Sequence, residues 1–145
     1  MNQKTHWIVL SLALLLLAIT SFANATEVNV IEFELTGTEW WVEDIDGKGV
    51  IDMSHTTLQF QEQGGVTGDT GCNRYRGSAE ISGTSISFGP MAGTRKACAP
   101  SLMDQEMKFY QAVAKVVSWE VANTGLLHLK EVNGNTIIRA WRVEE

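Results

Sequence analysis

Short runs of alternating apolar and polar residues, cut repeatedly by glycine-centred turn signals, constrain this chain to an antiparallel β protein. In residues 57–61, Leu58 and Phe60 alternate with Thr57, Gln59 and Gln61, which is the period of a half-buried strand. Gly64-Gly65 then turns the chain into residues 66–68. Residues 39–45 are rich in Trp and Val and end at Asp46-Gly47. Residues 79–82 and 85–88 flank Gly83-Thr84, a further hairpin in which Ile81, Ile86 and Phe88 face the core. Residues 118–122, 126–132 and 136–143 read as three more strands. Asn133-Gly134 between the last two predicts a type I′ turn, because both residues tolerate φ > 0. Val28, Val30, Phe33 and Leu35 suggest an extended lead-in. The fold class expected is mainly β (α+β): a small antiparallel barrel-like meander with one helix inserted between strands.

The helix is expected from Ser101, with Ser101 as N-cap, Asp104 three residues on and Pro100 before it. Met103, Met107, Tyr110, Val113 or Ala114, and Val117 recur at helical spacing. That stripe is expected to pack in the core. Trp40, Trp41, Phe60, Trp119 and Trp141 are likewise expected to fill a core, or else to line a ligand space inside the barrel.

The first 25 of the 145 residues read as an export address. Lys4 supplies a positive start, residues 7–19 are apolar except for Ser11, and Ala23-Asn24-Ala25 is an A-x-A cleavage pattern. The apolar core is shorter than the ~20 residues of a spanning helix, so no membrane anchor is expected after cleavage. The first cysteine is Cys72, so none follows the apolar run to carry a lipid. The domains expected are a signal peptide at 1–25, an extension at 26–34 and one folded domain at 35–145. The mature chain then has ten Lys+Arg against 17 Asp+Glu. That acidity excludes nucleic acid as a bulk partner, since such binders need a basic surface.

Two cysteines in an exported chain suggest one disulfide, Cys72 to Cys98. Free thiols and a metal pair are the alternatives, although the C-x-x-C spacing of a zinc site is missing. No metal and no cofactor are expected. Charge is uneven. Residues 26–69 hold ten acids and only Lys48, whereas residues 70–145 hold nine bases and seven acids. Arg74, Arg76, Arg95 and Lys96 flank the cysteines. They either form an anion or acidic-partner site or offset the acidic first half across the fold.

Catalysis finds little support in the residues. There is no G-x-S-x-G, and His55 and His128 have no motif partner. Gly64, Gly65 and Gly68 lack the lysine and Ser/Thr of a phosphate loop. His128, between Leu127 and Leu129, is expected to face solvent. No catalytic residue and no enzymatic activity are expected.

The run Gly71-Cys72-Asn73-Arg74-Tyr75-Arg76-Gly77 resembles the G-C-N-x-[FY]-x-G signature of the META domain family, the HslJ-like heat-shock proteins. Leu35-Thr36-Gly37-Thr38-Glu39-Trp40 is similar to that family's opening L-x-G-T-x-W. Phe88-Gly89-Pro90-Met91-Ala92-Gly93-Thr94-Arg95 is similar to its F-G-x-[IM]-x-x-T-[RK]. Ala97-Cys98, Met103 and Glu106 also fit. The resemblance implies a small antiparallel barrel with one helix, an exported or envelope-associated life, and links to heat shock. It carries no catalytic residues. The function expected is therefore a stress-related, non-enzymatic binding module of the bacterial envelope, periplasmic and monomeric. Its partner is expected to be an envelope protein or a small ligand. The alternative is an inhibitor or chaperone-like partner of an envelope protease or secretion component.

Overall fold

The computed structural model describes residues 35–143. The expected signal peptide, the extension and the lead-in before Leu35 lie outside these residues. Strand β1 (Glu39–Ile45) begins an antiparallel sequence of β2 (Lys48–Gly49), β3 (Thr57–Phe60), β4 (Gly65–Asp69), β5 (Arg74–Ser82), β6 (Ser85–Phe88) and β7 (Ala92–Gly93). Helix α1 (Pro100–Val113) follows, and β8 (Ser118–Val121), β9 (Leu127–Lys130) and β10 (Thr136–Arg142) complete the chain. Neighbours run β10-β9-β8-β6-β5-β4-β3-β1, and β10 pairs back onto β1, so the sheet closes into a ring. Closure removes exposed sheet edges. The expected mainly-β barrel with one inserted helix is what the described residues form.

Alternation sets what lies inside. Trp40, Leu58, Phe60, Leu127, Leu129 and Ile138 are fully buried, and Phe109 of α1 joins them. Buried polar tips find partners in the wall. The Trp40 indole donates to Leu35 O at 3.3 Å, Trp119 to Gly83 O at 3.0 Å, and the Tyr75 hydroxyl to Thr57 O at 2.7 Å. Burial holds the Tyr75 phenol well above its ordinary range, with the nearby Tyr110 and Asp69 adding to the effect.

The turns differ from expectation in one place. Asp46 and Gly47 both take positive φ, as a two-residue type I′ hairpin requires. In the loop after β9 only Gly134 does so. There Glu131 N donates to Asn135 O at 3.0 Å and Gly134 N to Glu131 O at 2.8 Å. This is a three-residue loop ending in a left-handed glycine, not the expected type I′ turn. The Asn133 side chain accepts from Asn135 N at 2.9 Å, which satisfies it without positive φ. The same bonding recurs from Gln61 to Gly65 and from Ala122 to Leu126, with Gly64 and Gly125 as the left-handed residues.

Helix α1 also departs from expectation. Its N-cap is Ala99, Pro100 opens it, and no side chain caps it. Ser101 lies inside the first turn because proline is preorganised for that position. Asp104 instead pairs with Lys108 one turn on, at 2.5 Å. The buried face carries Gln105, Phe109, Ala112 and Val113. Of the expected stripe, Val113 is in the core and Tyr110 packs against it, whereas Met103, Met107 and Val117 are about half exposed and are not core. The face beginning at Gln105 wins because Gln105 reaches polar groups that would otherwise be stranded. Its Oε1 accepts from Ile51 N at 2.7 Å, and its Nε2 donates to Ser54 Oγ at 3.0 Å and Thr56 Oγ1 at 2.9 Å.

Of the five aromatics expected to fill or line the interior, Trp40, Phe60 and Trp119 are buried. Trp41 and Trp141 are not interior residues. Trp41 follows Trp40 directly, so the pleat turns it outward, and Trp141 is its partner on β10.

Candidate functional site

The residues around the two cysteines form one polar assembly between β5, α1 and the segment 92–98. Gly71 has φ +88°, and a Cβ there would lie 2.8 Å from Ser54 O. Only glycine fits that conformation and that gap. The turn so made buries Thr70 and Asn73. The Thr70 hydroxyl donates to a Glu106 carboxylate oxygen at 2.5 Å and accepts from Asn73 N at 3.0 Å. Asn73 Nδ2 donates to the other Glu106 oxygen at 3.2 Å. Asn73 Oδ1 accepts from Thr94 Oγ1 and from Lys96 N, both at 2.8 Å. One asparagine thus joins the strand, the helix and the segment 92–98.

Cys72 and Cys98 are disulfide-bonded, with Cα atoms 5.9 Å apart, and no free cysteine remains. With ~26 residues between them the chain-entropy model assigns the bond about 3–4 kcal/mol. The segment is tied twice more. Strand β7 pairs with β5 through Tyr75 with Gly93 and Arg76 with Ala92, and Thr94 N donates to Arg74 O at 2.9 Å. Tyr110 of α1 sits behind Gly93, where a Cβ would meet its hydroxyl at 2.9 Å. Partial burial raises the Tyr110 phenol from its ordinary value, and the Glu106 and Asp69 carboxylates add to this.

These ties hold Arg95 and Lys96 beside Arg74 and Arg76, which share one face of β5 two residues apart. All four side chains are exposed. Among the described residues they make no ion pair and no side-chain hydrogen bond. The paired cations lie elsewhere: Lys108 with Asp104, Lys130 with Glu120, and Arg139 with Glu43. Arg142 lies over the Trp40 ring at 5.3 Å.

The histidines do not gather with a nucleophile and an acid. His55 is exposed on the loop before β3 and packs edge-on against Trp41. His128 is half buried, less open than expected, and its Nδ1 lies 3.1 Å from Thr136 Oγ1. Its cross-strand neighbour Glu120 is occupied by Lys130, whose hydrogen bond lowers the carboxyl's pKa from the ordinary value. Among the described residues no three His, Cys, Asp or Glu side chains group to hold a metal ion, and no helix is long and apolar enough to cross a membrane.

Sequence reading missed Gln105, Glu106 and Thr70 as the partners of the Gly71–Asn73 turn. Gln105 was legible in one respect: it interrupts the apolar face that Phe109, Ala112 and Val113 complete, and a polar residue there needs a buried partner.

Comparison with known proteins bears on the whole of this architecture. The META domain family model matches residues 33–144. A protein from Burkholderia xenovorans solved by NMR is 24% identical, with TM-score 0.62, covering 86% of this chain and 96% of its own. A second NMR structure is 22% identical, with TM-score 0.59, covering 74% of this chain and 92% of that one. The crystal structure of a DUF4847 family protein from Bacteroides vulgatus is 16% identical, with TM-score 0.57, covering 80% and 99%. These likenesses are of fold. No curated protein matches the chain.

Proposed function

From the premise that this chain belongs to the META domain family, we propose that it is an exported, non-enzymatic binding module. It docks an anionic partner of the bacterial envelope on the face carrying Arg74, Arg76, Arg95 and Lys96. The observation that carries this is four exposed cations without an ion pair or side-chain hydrogen bond among the described residues, in a chain where acids outnumber bases, 17 to 11. Intramolecular pairing was open to them in an acid-rich chain, and three other cations have it. Arginine forks held free on a rigid sheet suit carboxylates and phosphates. The disulfide and the Asn73 ties fix their spacing, which lowers the entropic cost of engagement.

Export rests on the signal-like residues 1–25, and a disulfide fits an oxidising compartment. A periplasmic, monomeric protein is the reading this supports. The stress role rests on the resemblance to the heat-shock members of the family. The absence of catalysis rests on histidines engaged in a surface aromatic contact and a threonine contact.

The test is comparative capture. Tagged mature protein is passed over envelope extracts from heat-stressed cells, and retained proteins and small molecules are identified by mass spectrometry. The wild type retains an acidic partner that elutes with rising salt, and Arg74→Gln with Arg95→Gln releases it while thermal stability stays within about 0.5 kcal/mol, as for surface substitutions. Retention unchanged by the double substitution contradicts the reading.

A further inference from the structure

Trp41 carries the one buried side-chain polar atom among the described residues that has no hydrogen-bond partner, its indole Nε1, whereas the Trp40 and Trp119 indoles both have one. The ring lies outside the barrel, so it contributes nothing to the interior. It is flanked by Trp141 at 5.1 Å and by His55 edge-on at 4.7 Å. Trp141 is 40% exposed. His55 and nearby Met53 both hold positive φ, 50° and 61°, a strained backbone for side chains of their size. An orphan donor, an exposed tryptophan and two strained residues meet at one place.

That place opens into two grooves. One, of about 360 Å³, lies between Trp141, Met53 and Asp52. The other, of about 560 Å³, runs from Trp41 across β3 and β4 past Glu39, Gln59, Thr67 and Asp69 to Arg74 at the start of β5. Aromatic faces border polar side chains that include donors, acceptors and groups that are both.

We propose that this outer aromatic face is a saccharide-binding site. The C–H face of a pyranose ring is apolar and slightly positive, and so matches the negative face of an indole. Sugar hydroxyls donate to the Glu39 and Asp69 carboxylates and exchange hydrogen bonds with Gln59 and Thr67. One sugar oxygen accepts from Trp41 Nε1, which satisfies the orphan donor. A proline-rich peptide offers acceptors but few donors, and leaves those carboxylates unmet. The groove meets the cationic face only at Arg74, and an uncharged sugar needs no ion pair there.

The probe is ¹⁵N-labelled mature protein titrated with chitotriose and with maltotriose, followed through the indole N–H resonances. One of the two sugars shifts the Trp41 and Trp141 resonances in a saturable way, with a Kd of order 1 mM. Trp141→Ala weakens that binding about tenfold or more, and Trp141→Tyr, which keeps an aromatic platform, largely restores it. Arg76→Gln with Lys96→Gln, which removes half of the cationic face and lies outside both grooves, leaves it unchanged, so this proposal and the one above fail separately. No shift with either sugar, equal binding by Trp141→Ala, or shifts produced only by a decaproline peptide overturns it.

Discussion

At the scale of single residues, the assembly around the disulfide depends on groups that have no substitute. Gly71 combines a φ of +88° with a backbone carbonyl where a side chain would begin. Gly71→Ala is expected to cost about 1–3 kcal/mol, measured as a shift in the urea midpoint. Gln105→Leu keeps the volume but strands Ile51 N and leaves the buried Ser54 and Thr56 hydroxyls only their long contact with each other at 3.5 Å, and is expected to cost at least about 2 kcal/mol. Tyr75 gives a pH signature. Its folded-state pKa is raised above the ordinary 10.0, so its contribution is full below that value. It is lost as pH rises past 10.0 toward the folded pKa, because there the unfolded chain releases the proton first. Denaturation midpoints are therefore expected to fall above pH 10, and less steeply in Tyr75→Phe. That variant starts lower at neutral pH by about 1 kcal/mol for the lost bond to Thr57 O. The G-C-N run was legible as a tight, cysteine-tied turn. Its partner Glu106 was legible only as a family residue, since nothing local tells a surface glutamate from one reached by a threonine 36 positions away.

At the scale of elements, the strands follow from alternation and the turns from glycine. The residues expected for the first strand are those of β1. The Asn133-Gly134 turn shows where that reading stops. The dipeptide marks a hairpin, but loop length is decided by which residues pair across it, and here Glu131 pairs with Asn135. Helix α1 shows a second limit. Methionines at helical spacing look like core, yet the adjacent face carries Phe109 and Gln105, and tertiary partners choose between two faces that periodicity alone ranks as similar. Because Ala99 sits in extended backbone, φ −55° and ψ 142°, without a side-chain acceptor, Ala99→Ser is expected to stabilise the protein by about 0.5–1 kcal/mol. Calorimetry of the variant checks this; an unchanged or lower melting temperature would show that the helix start is already satisfied by other means.

At the scale of the molecule, a closed sheet, a covering helix and one disulfide hold the segment carrying Arg95 and Lys96 against the strand carrying Arg74 and Arg76, and all four cations are exposed. The disulfide is a stability element first. Reduction is expected to lower stability by about 3–4 kcal/mol, and alkylation is expected to shift the mass only after reduction. The charge asymmetry was visible in the sequence, as was the cluster beside the cysteines. Whether those cations offset the acidic first half was not visible, because pairing depends on which faces the barrel brings together. Trp41 and Trp141 were visible only as aromatics. That neighbouring tryptophans in one strand must point apart was available from the pleat, and it is what places one of them outside. The claim that Arg74, Arg76, Arg95 and Lys96 form a docking face is tested most directly by an amide footprint. ¹⁵N-labelled mature protein is titrated with a polyglutamate peptide at low and at physiological salt. Saturable, salt-sensitive shifts centred on residues 74–77 and 93–96 are expected. Shifts scattered over the surface, or centred away from those two segments, would contradict it.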